Sequence, residues 1–97
     1  MQNQDKTKLN QEVSQANQAE LILNNSLFKE SINKLKKLYA DSLFKTGAEE
    51  HKTREKLWLA YNITGKVEQH FTELVTTGKL AKKQLEDLRK VEEQKKF

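Results

Sequence analysis

Apolar residues recur every three or four positions along most of this chain, and no stretch alternates with the period of two that a strand requires. The weakest stretch comes first. Residues 1–8 are polar and are expected to fray, and Leu9, Val13, Ala16, Glu20 and Leu23 then mark a helix over about 9–23 that is marginal unless it docks. Asn24, Asn25 and Ser26 follow as a junction rich in capping residues. Asn25 or Ser26 is placed to accept a hydrogen bond from an orphan amide of the next helix.

The second helix is predicted over roughly 27–45. Leu27, Phe28, Ile32, Leu35, Leu38, Tyr39, Leu43 and Phe44 form a stripe wide enough for a buried face. Thr46-Gly47-Ala48-Glu49 punctuates the chain. Gly47 suits a left-handed helix stop, and Thr46 with Glu49 has the spacing of a capping box. Both features place a tight reversal here and an antiparallel hairpin on either side of it.

A third helix is expected over about 49–77, with a seam of Leu57, Ala60 or Tyr61, Thr64, Val67, Phe71, Leu74 and Val75, widened by Trp58. Leu57, Trp58, Tyr61, Val67, Phe71 and Leu74 are the candidate hairpin core. Gly65 lies inside this helix, where it marks either a close helix contact or a tolerated surface glycine. Thr77-Gly78-Lys79 either turns the chain into a fourth helix or sits within one continuous helix. Beyond it Leu80, Leu85, Leu88 and Val91 continue a narrow stripe on a charged background, which suits self-association. The expected organisation is all-α: a flexible start (1–8) and one helical domain (9–97), with a hairpin core over about 27–77 and an oligomerisation helix over about 79–96.

Composition sharpens this picture. The 97 residues suffice for one domain, and a 35% hydrophobic content is thin for a monomeric core, which fits either long solvent-facing ends or an oligomer. Proline is absent, so the strongest helix breaker is missing. Without cysteine there is neither a disulfide nor a thiolate ligand. With no apolar leader near the start and no run long enough to span a bilayer, a soluble intracellular protein is expected, with no membrane partner.

Candidate chemistry is sparse. His51 and His70 are the only histidines and have no metal-ligand spacing, so neither a metal nor another cofactor is expected. The serines lack a nucleophile context and the Gly-Lys pairs lack a phosphate-cradling loop, so a non-enzymatic role is expected, with no catalytic residue. The formal charge of +4 is unevenly spread, with +3 in residues 26–45 and +3 in residues 79–97. Lys34, Lys36 and Lys37 form one candidate phosphate-contacting patch. Lys79, Lys82 and Lys83, with Arg89 and Lys90, form another. Lysine outnumbers arginine sixteen to two, which favours phosphate contact over base readout. The competing reading is a solubilising lysine-rich surface.

The segments Ala19-Glu20-Leu21-Ile22-Leu23-Asn24-Asn25-Ser26-Leu27-Phe28, Arg54-Glu55-Lys56-Leu57-Trp58 and Gly78-Lys79-Leu80-Ala81-Lys82-Lys83-Gln84-Leu85 resemble small helical proteins of tailed bacteriophages, over roughly residues 19–88. Among these the chain is similar to a terminase small subunit. That resemblance implies a homo-oligomeric ring, contact with double-stranded DNA through the lysine patches, and recruitment of a large terminase subunit for DNA packaging. It also implies a place in the cytoplasm of the infected bacterial host. The chain departs from the usual layout in lacking an N-terminal helix-turn-helix, which leaves nonspecific phosphate contact as the implied mode. The alternatives are a phage structural or scaffolding protein, or a helical adaptor that binds another protein.

Overall fold

A computed structural model describes residues 3–94. They form three α-helices: α1 (Asn3–Asn24), α2 (Ser26–Lys45) and α3 (His51–Gln94). The all-α class is therefore as the periodicity predicts. The fourth-helix option at Gly78 is not taken, since α3 runs through it as one 44-residue helix. α1 begins earlier than its pattern suggests, so residues 3–8 are helical. Met1 and Gln2, and residues 95–97, lie outside the described residues.

Local chemistry sets the boundaries of α2. Asn25 holds an extended backbone and its side-chain oxygen accepts from the Phe28 N–H at 2.9 Å, which satisfies one orphan donor of the first turn. At the other end Thr46 caps α2, its N–H donating to the Leu43 carbonyl at 3.2 Å and its hydroxyl to the same oxygen at 2.7 Å. The expected left-handed Gly47 does not occur, because no described residue has positive φ. The Thr46–Glu49 capping box is not formed either. Instead the Gly47 N–H donates to the Glu50 side chain at 3.4 Å, the Glu50 N–H donates to the Gly47 carbonyl at 3.1 Å, and α3 starts at His51. With two threonine bonds already terminating α2, no left-handed residue is required to stop it.

The chain divides into two packing units. The α2 unit, Leu23–His70, contains α2 and the first part of α3. Its helices are antiparallel: Lys36 bonds Glu68 at 3.0 Å, and Leu43 and Phe44 lie with Arg54 and Trp58 nearer the reversal. Ile32 and Thr64 are its buried residues, and the Thr64 hydroxyl is satisfied by the Ala60 carbonyl at 2.8 Å. The expected hairpin core is corrected in part. Leu57 is half-buried, but Trp58, Tyr61 and Val67 are exposed, and Phe71 and Leu74 belong to the other unit.

In the α1 unit, α1 packs antiparallel on the part of α3 from Phe71 onward. Lys6 pairs with Glu92 at one end, and Ala16 meets Gly78 further along. The α1 seam buries Leu9, Ala16 and Ala19, and the α3 seam buries Gly78 and Ala81. Phe71, Leu74, Gly78, Ala81, Leu85 and Leu88 follow the alternating three–four spacing of a coiled-coil seam. A Cβ built on Gly78 would lie 2.0 Å from the Ala16 Cβ and 2.9 Å from the Glu12 carbonyl oxygen. Glycine is thus needed here for the close approach of two helix backbones, and not for a turn. α1, marginal as an isolated helix, forms because it docks on this seam.

Candidate interaction surface

A two-helix pair can cover only one strip of each helix. On α2 the stripe from Leu27 round to Leu43 spans about 160° at 100° per residue, and Phe44 lies about 100° beyond Leu43, so a single partner helix leaves part of it uncovered. The surplus falls on two flanks. On the first, Phe44 is 90% exposed and Trp58 57% exposed, and with Ala40, Leu43, Arg54, Tyr61 and Asn62 they line a cleft of about 390 Å³. The Asn62 amide donates to the Trp58 carbonyl at 2.8 Å, so that polar side chain is tied back to its own helix. On the second flank Leu35 and Leu38 of α2, and Leu59, Ile63 and Val67 of α3, are exposed at helical spacing. Spacing alone assigned Trp58, Tyr61 and Val67 to the core. The legible signal against that assignment was their spread round α3, since Trp58 and Val67 stand about 180° apart at 100° per residue.

The candidate DNA-contacting residues do not all come together. Lys34, Lys36 and Lys37 are not one patch. Lys36 is half-buried and its ammonium lies 3.0 Å from Glu68 across the α2–α3 seam, whereas Lys34 and Lys37 are exposed. Two residues along a helix is a rotation of about 200°, which turns Lys36 away from Lys34. Lys34 and Lys37 share their face with Glu30 and Asp41 at four-residue spacing, so the local charge is balanced. In the α1 unit Lys79, Lys82, Lys83 and Lys90 do share one exposed face of α3, with Glu86 among them. Lys79 and Lys82 border a groove with Glu20 of α1, and Arg89 lies 3.9 Å from Glu93 on its own helix.

The four candidate self-association residues divide. Leu80 and Val91 are exposed, while Leu85 and Leu88 are half-buried in the α1 unit. Both histidines are exposed, and among the described residues no group of three or more His, Cys, Asp or Glu could hold a metal ion. No described helix is long and apolar enough to cross a membrane.

Comparison with protein-family models, with curated proteins and with solved structures finds no match to the chain. The likeness to small phage proteins and to terminase small subunits gains no support from these comparisons.

Proposed function

We propose that this chain is a non-enzymatic helical interaction module, an adaptor or scaffolding component that binds another protein through the α2 unit. The observation that carries the reading is the exposure of large apolar side chains on both flanks of that unit, Phe44 and Trp58 on one and Leu38 and Ile63 on the other. Monomeric soluble proteins seldom leave contiguous apolar patches beyond a few hundred Å² in water, and larger ones mark contact sites. The test is site-specific photo-crosslinking in the cells that make the protein, with the crosslinker at Phe44, at Leu38 and, as a control, at the exposed polar Gln15. Defined adducts are expected at Phe44 or Leu38 and not at Gln15. Their absence at both apolar positions would sink the reading, and adducts only to further copies of the chain would assign it the scaffolding role.

A second reading is a small-terminase-like homo-oligomer that contacts double-stranded DNA and a large terminase subunit in an infected bacterium. It is favoured by one feature, the shared exposed face of Lys79, Lys82, Lys83 and Lys90. It requires duplex binding that weakens steeply with salt and weakens again when those lysines are neutralised. It also requires a mass several times the monomer in light scattering.

A further inference from the structure

We infer that the aromatic cleft of the α2 unit docks an amphipathic helix from a partner protein, one that carries carboxylates beside its apolar stripe. The inference rests on the protein-binding reading above and adds the site and the chemistry of its occupant. Three observations converge on it.

The cleft lies between two antiparallel helices and is lined by Ala40, Leu43 and Phe44 of α2 and by Trp58 and Tyr61 of α3. Helix-in-groove recognition uses such apolar grooves to seat side chains spaced three and four residues apart. Trp and Tyr are also the side chains that most often dominate binding energy.

Gly65 supplies the second observation. It follows Trp58 and Asn62 at helical spacing, so it sits on the flank that bears the cleft. A Cβ there would meet nothing within 4 Å, in contrast to the Cβ at Gly78. Internal packing therefore does not require this glycine. Its position within α3 nevertheless costs about 0.5–1 kcal/mol against alanine. What it provides is a notch in the helix surface, through which another helix backbone can come close.

Charge decides the occupant. Arg54 is the one charged residue lining the cleft. Lys37, on the same flank of α2, is balanced by Glu30 and Asp41 at its own face, so the Arg54 guanidinium is the charge the cleft itself presents. Two-fold pairing of this flank with itself would bring a second Arg54 to it, whereas a carboxylate next to an apolar stripe would pair with the guanidinium as the stripe fills the cleft.

Trp58 is the only tryptophan, so its emission reports on the cleft directly. The probes are two tryptophan-free synthetic helices with the same Leu/Phe stripe, one flanked by Glu and the other by Lys. The full chain should show a saturable blue shift with the Glu peptide and bind the Lys peptide about tenfold or more weakly. Arg54→Glu should reverse that preference. Gly65→Leu, which fills the notch without touching the interior, should weaken the Glu peptide about tenfold while helicity is kept. Equal response to both peptides, no response to either, or Gly65→Leu without effect would overturn the inference. A blue shift that grows with the chain's own concentration would overturn it in favour of self-association. Crosslinks at Phe44 or Leu38 combined with no binding of the Glu peptide would leave the general reading standing and remove only this one.

Discussion

The two units solve the same problem, pairing two antiparallel helices, with different side chains and different results. The α1 unit buries small residues, Ala16, Ala19, Gly78 and Ala81, together with Leu9. The α2 unit has the larger apolar side chains and leaves most of them exposed, with only Ile32 and Thr64 buried among its described residues. The difference teaches that sealing a two-helix seam depends on how closely the backbones approach, more than on how apolar the helices are. Small residues bring the axes together, so even short side chains are covered. Large residues hold the axes apart, and whatever flanks the seam stays in water unless a further helix covers it.

The comparison can be broken most forcefully at its two helical glycines, by making one chemical change in both. Gly78→Ala should destabilise the α1 unit by about 1–3 kcal/mol, because its Cβ would collide with the Ala16 Cβ and a carbonyl, neither of which is the tip of a flexible side chain. A lowered circular-dichroism melting temperature would register it, and an unchanged melt would mean that the close approach is not maintained. Gly65→Ala should act in the opposite direction, raising stability by about 0.5–1 kcal/mol, since nothing lies in its way and the helix gains a better former. The smallest effect is expected at the most exposed aromatic. Phe44→Ser should change folding stability by no more than about 0.5 kcal/mol while removing part of the contact surface. A larger loss in denaturant unfolding would show that Phe44 is packing and not surface.

Much of the fold was legible in the residues. The three- and four-residue periodicity and the lack of proline give three helical segments, and the Asn24-Asn25-Ser26 run marks the start of α2, with Asn25 as its cap. The α1 unit was harder to read, because its seam is built from alanine and glycine, which carry little hydrophobic signal, and because its two halves lie far apart in sequence. Gly78 illustrates the limit. Glycine serves a turn and a close approach equally well, and only the neighbour Ala16 tells which applies. The surface of the α2 unit was misread at Trp58, Tyr61 and Val67 for a related reason. Periodicity reports that a face is apolar, but not how many partners are present to cover it. The lysine groups divided along similar lines, since adjacency in sequence placed Lys36 beside Lys34 and Lys37 while helical rotation sent it to Glu68.

The single long helix also imposes an order of assembly. The α2 unit closes over short separations, such as the 32 residues between Lys36 and Glu68, whereas the α1 unit must join Lys6 to Glu92 across 86. Loop-closure entropy alone makes the longer connection about 0.9 kcal/mol costlier. The hairpin should therefore nucleate first, and helix propagation from it should extend α3 past Phe71, where each added residue costs less than a new nucleus. α1, although made earlier in synthesis, would stay without its seam until that extension arrives. Pulsed hydrogen exchange should find amides near Ile32 and Thr64 protected before those near Ala16, and the reverse order would show that α1 finds α3 independently. On this account α3 is a template laid down by one partner for the use of the other.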